Sequence, residues 1–124
     1  MTANPYRGEV TVELGGETFA ARPTYQAILS WEEKTGKTST ELLVRLTSGV
    51  FGVRDLVAIL QPALEAGGTK MKEPDLGERI VRHGQADVLK PVALLLRNAL
   101  TGGKEDDQGE AKPGLELAES STGA

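Results

Sequence analysis

Cysteine is absent from the 124 residues, so disulfides, thiolate nucleophiles and cysteine-based metal sites are excluded. Histidine occurs once, at His83, too few imidazoles for a typical transition-metal centre. Aromatic side chains are scarce, with one Trp, two Tyr and two Phe, so the core must be built from Leu, Val, Ile and Ala. No apolar run approaches the roughly 18–20 residues of a membrane span, and no membrane partner is expected. Residues 1–8 lack the apolar segment of a secretory signal, which points to a soluble, intracellular protein.

Charge is present but unevenly placed. Residues 1–101 carry 12 acidic and 12 basic side chains. Residues 102–124 carry six acids (Glu105, Asp106, Asp107, Glu110, Glu116 and Glu119) against Lys104 and Lys112, so the net charge of −4 lies on the C-terminal tail. A neutral body with an acidic tail suits a phosphate backbone poorly, and no nucleic-acid partner is expected.

The body reads as one α+β domain, mostly α, spanning residues 1–101. Its hairpin covers 8–22, and four or five short helices fill 24–101. Glu9–Leu14 alternates polar and apolar residues, Gly15-Gly16 supplies the turn, and Glu17–Arg22 returns. Val10, Val12, Leu14 and Phe19 make the expected buried face. A lone hairpin is marginal in water, so it needs helices to pack on.

Thr24 caps a helix predicted over Tyr25–Thr35 and stopped by Gly36, with Tyr25, Ile28, Leu29 and Trp31 as its apolar positions. Thr38 and Glu41 have capping-box spacing for a second helix, with Leu42, Leu43 and Leu46 inward. Val53, Leu56, Val57, Leu60 and Leu64 form the stripe of a third helix, which Pro62 should kink and Gly67-Gly68 should end. A fourth helix starts near Pro74-Asp75, packs through Leu76 and Ile80, and breaks at Gly84. A fifth runs from about Ala86 to Leu100, with Pro91 near its first turn. Residues 102–124 hold too little apolar area to offset their ordering entropy and read as a disordered tail.

Catalysis fails by exhaustion. His83, just before Gly84, fits a helix C-terminus better than a base or ligand. Glu32-Glu33 fits a solvated helix edge, with Glu32 alone reaching a basic residue across the fold; Asp106-Asp107 lies in the tail. Gly15-Gly16, Gly67-Gly68 and Gly102-Gly103 match no phosphate-binding fingerprint and serve as turns and helix stops. Ser30, Ser39 and Ser48 lack the setting of an activated nucleophile. Lys70 and Lys72 read as a solvated loop. No catalytic, cofactor or metal residue emerges, so the chain reads as a binding protein and not an enzyme. Trp31, Val50, Phe51 and Leu76 are the partner-contact candidates, being large apolar residues at the edges of the helical stripes.

Arg7-Gly8-Glu9, the Gly-Gly hairpin and a helix carrying Trp31-Glu32 and ending at Gly36 resemble the start of the gene transfer agent family of small phage-type tail proteins. The likeness continues through Glu41-Leu42, Arg45-Leu46 and Ser48-Gly49. It is strongest over Asp55–Leu60, Ala63-Leu64 and Ala66-Gly67-Gly68, and it covers about residues 4–101. The resemblance implies a tail assembly chaperone in the bacterial host cytoplasm. Its implied partners are the tape measure protein and, with it, the tail tube protein. The family is also labelled as tail-tube protein, so a structural tail-tube or minor tail component is the alternative; an adaptor unrelated to phage is a further one. Pro62 and the acidic tail depart from the family pattern.

Overall fold

The computed structural model describes residues 8–103. The expected tail is therefore outside the described residues, apart from its first two. The element order is β1 (Val10–Leu14), β2 (Glu17–Ala21), α1 (Tyr25–Thr35), α2 (Ser39–Thr47), α3 (Val53–Ala66), α4 (Glu73–His83) and α5 (Gln85–Thr101). A two-stranded antiparallel hairpin followed by five helices is the α+β, mostly helical architecture that the sequence patterning implies.

The hairpin forms because alternation and turn chemistry agree. Gly15 and Gly16 both take positive φ, and the register pairs Leu14 with Glu17, Val12 with Phe19 and Val10 with Ala21. Val10, Val12 and Leu14 enter the core, while Thr11 and Glu13 face out. Ala21 is fully buried on the same face, whereas Phe19 is only partly covered.

The first helix shows how local signals set boundaries but not faces. Thr24 Oγ1 accepts from the Ala27 N–H, and Gly36 closes the helix in the left-handed conformation. The buried residues, however, are Ala27 and Trp31. Tyr25 and Leu29, expected on the inner stripe, are exposed. Small Ala27 lets α1 lie close on α3, and that choice rotates the two larger side chains outward.

Helix α3 is the hub, touching α1, α4, α5 and β2. Its buried set is accordingly wider than one stripe: Leu56, Ala58, Ile59, Leu60, Ala63 and Leu64. It continues past Pro62 to Gly67. Gly67 is required by its surroundings, since a Cβ there would lie 2.0 Å from the Ala20 carbonyl oxygen of β2. Next to it, the Arg22 N–H donates to the Ala63 carbonyl at 3.0 Å, joining the end of β2 to the end of α3.

Helix α4 starts at Glu73, with Pro74 in its first turn, and buries Leu76 and Ile80. Pro91 is the seventh residue of α5, inside its second turn and not its first, since the helix begins at Gln85, one residue before the expected start. Asn98 is the one buried amide in this helix. It is satisfied by donating to the Gly8 carbonyl at 2.9 Å.

Candidate functional site

The four contact candidates divide cleanly. Trp31 and Leu76 are at zero exposure, so neither offers a surface to a partner as placed. Their large apolar side chains fill the centre of the helical layer instead of edging it. Val50 is half exposed on the α2–α3 connector, and Phe51 is partly buried against the core. Val44, on the outer face of α2, is also exposed near that end.

Trp31 carries a polar handle that ties two helices together. Its indole Nε1–H donates to Ser39 Oγ at 2.9 Å, and the Ser39 hydroxyl donates to Glu32 Oε2 at 2.7 Å. The Ser39 N–H reaches the same carboxylate oxygen at 2.9 Å. Glu32 therefore meets a serine at the start of α2, neither solvent alone nor a basic residue across the fold. The chain of donors and acceptors leaves the buried indole and hydroxyl paired, a structural knot with no bond left to break or make.

His83 is likewise structural. Its Nδ1 accepts the Gly15 N–H at 3.1 Å, so the last residue of α4 holds the hairpin turn. His83 thus ties the end of α4 to the turn between β1 and β2. The neighbouring Arg79 pairs with Glu17 and lies 5.8 Å from the Phe19 ring centroid. Lys34 bridges Glu73 at 3.5 Å and donates to Gln61 Oε1 at 2.7 Å; Gln61 in turn donates to the Met71 carbonyl. These contacts fasten α1, α3 and α4, leaving Lys34 no free role.

A concave feature lies between α1 and α3. It is an open depression of about 400 Å³ lined by Thr24, Gln26, Ala27, Ser30, Pro62, Glu65 and Ala66. The Pro62 ring gives it an apolar wall without an N–H. Gln26 and Ser30, one turn apart, give its polar lip. Sequence reasoning passed over this place because each lining residue is ordinary by itself. Only the crossing of two helices brings 24–30 against 62–66.

Nothing in the depression assembles a nucleophile, a base and a group to orient them. Among the described residues, no cluster of three or more His, Cys, Asp or Glu side chains could hold a metal ion. Among the same residues, no helix is long and apolar enough to cross a membrane. What the surface offers is shape, apolar area and fixed charge, which are the means of protein recognition.

Residues 7–102 match a family model described as phage tail tube protein, GTA-gp10. No curated protein and no solved structure matches the chain.

Proposed function

Because the chain belongs to this gene transfer agent and phage tail family, we propose that it serves tail morphogenesis as an assembly chaperone. It binds the tape measure protein while tube subunits polymerise around it, and it catalyses no reaction. One observation carries the choice of chaperone over tube subunit: the sheet has only two strands, and the rest of the described chain is helical. A ring-forming tube wall that relies on sheet pairing needs a broader sheet with edges to share, and a short hairpin held flat against helices provides little of one. Exposed apolar side chains on a charged helical body suit transient capture of amphipathic helices.

The work is expected to take place in the bacterial host cytoplasm, before the particle is complete. Co-expression with the tape measure protein of the same tail gene cluster should raise that protein's soluble yield, and the two should co-purify. Unchanged yield without co-purification overturns the reading. The family's own description favours a second reading, a tail-tube or minor tail component. Mass spectrometry of purified particles separates the two: stoichiometric presence supports the structural role, and absence supports the chaperone.

A further inference from the structure

The outward stripe of α1 is unusually apolar for a solvent face. Tyr25 is 74% exposed and Leu29, one turn on, is 39% exposed. The same stripe reaches Glu33 and borders Gln26 and Ser30, which form the lip of the α1–α3 depression. Tyr25 and Leu29 each precede a lip residue in the chain, so an exposed apolar stripe of α1 borders the apolar-walled hollow.

Two carboxylates of this surface are without an ion pair among the described residues. Glu33 on α1 and Glu65 on α3 are exposed on the two helices that frame the hollow. Elsewhere Glu9, Glu17, Glu73 and Glu78 are paired with Arg22, Arg79, Lys34 and Arg82. Glu33 and Glu65 have no ion pair among the described residues. Arg22 is committed to Glu9 and to the carbonyl of the lining residue Ala66, and Lys34, beside Glu33 on α1, to Glu73 and Gln61.

We propose that the α1–α3 face is a docking groove for an amphipathic helix of another protein, one whose apolar stripe is flanked by lysine or arginine. A leucine-sized anchor enters the hollow between Ser30 and Pro62. Tyr25 and Leu29 cover the apolar stripe, and the flanking cations meet Glu33 and Glu65. Parallel grooves between helix pairs accept helices in this way, and the charge selects against acidic ones. The proposal rests on the assembly reading for which protein supplies the helix.

The test uses the full chain and the tape measure protein of its gene cluster, with affinity measured by capture at increasing salt. Leu29→Glu and the double variant Glu33→Lys/Glu65→Lys should each weaken capture at least about tenfold, as loss of a central anchor or of charge complementarity does. Val81→Glu, exposed on α4, should leave it unchanged, and Val44→Glu/Val50→Glu tests the end of α2 and its connector as the rival face. All the altered side chains are exposed, so thermal melts should coincide; should Leu29→Glu fail to fold, the charge pair decides.

Wild-type capture that survives both groove variants overturns the groove and leaves the chaperone reading standing. Loss of capture in the connector variant alone moves the docking face there and overturns the groove too. No capture by the wild type overturns both readings. Concentration-dependent self-association that the groove variants abolish identifies a second copy as the occupant and overturns the choice of partner.

Discussion

The hairpin end and the helical end of this molecule are held by different forces. Around the hairpin, directional contacts dominate. His83 accepts from Gly15, Arg79 pairs with Glu17, Arg22 pairs with Glu9, and Asn98 donates to Gly8. Around α3, burial dominates, with Trp31, Leu56, Ile59, Leu60, Leu64, Leu76 and Ile80 all removed from water. The reason is area. A five-residue strand offers three inward side chains, whereas α3 presents residues on several sides. Non-directional attraction grows with area, so the small element needs fixed-geometry bonds to define where it sits.

That contrast can be broken from either side. Trp31→Ala should cost most, about 3–5 kcal/mol, because it opens a large cavity and removes the indole donor to Ser39 Oγ. Urea melts should show the loss, and hydrogen exchange should show the helices opening with the hairpin in one step. Hairpin opening alone would refute the view that α3 and α1 are the common support.

Gly67→Ala comes next. Its Cβ would overlap the Ala20 carbonyl, and β2 must move away from α3. The expected cost is about 1–3 kcal/mol, as for overpacking. Amides of 17–21 should lose protection ahead of those in α3. Equal loss in both would mean that the hairpin and the helical layer are not separable.

Asn98→Ala removes the donor to a buried carbonyl and should cost about 1–2 kcal/mol by chemical denaturation. A cost near zero would show that water replaces the amide. The smallest effect is expected for His83→Ala, below about 1 kcal/mol, since the bond to Gly15 is exposed. The Gly15 amide should exchange faster while the core melts unchanged. An altered core would mean that the turn contributes more than its own position.

Sequence patterning reached the elements with little loss, because caps, glycine stops and apolar periods are local. Thr24 and Gly36 bound α1 where they were expected to. Faces were harder. Tyr25 and Leu29 have the hydrophobicity of core residues, yet the inner face went to Ala27 because close helix packing rewards a small residue. Trp31 and Leu76 qualify by sequence both as packing residues of their helices and as contact candidates; zero exposure gives both to the core, since α3 is surrounded and its neighbours turn large side chains toward it. Contacts such as Asn98 to Gly8 or His83 to Gly15 join positions far apart in the chain, and no local pattern encodes them. The α1–α3 hollow was invisible for the same reason.

The Asn98–Gly8 bond has a consequence for how the molecule can be rewired. The described chain sets out from and returns to one corner, since Gly8 touches α5 only a few residues before its end at Thr101. The fold is close to a ring. A short glycine-rich link from 103 back to 8 would close it, and new ends opened in the 69–72 loop, between α3 and α4, would leave every strand and helix whole. A pair of probes placed at positions 8 and 103 would report as neighbours in an energy-transfer measurement.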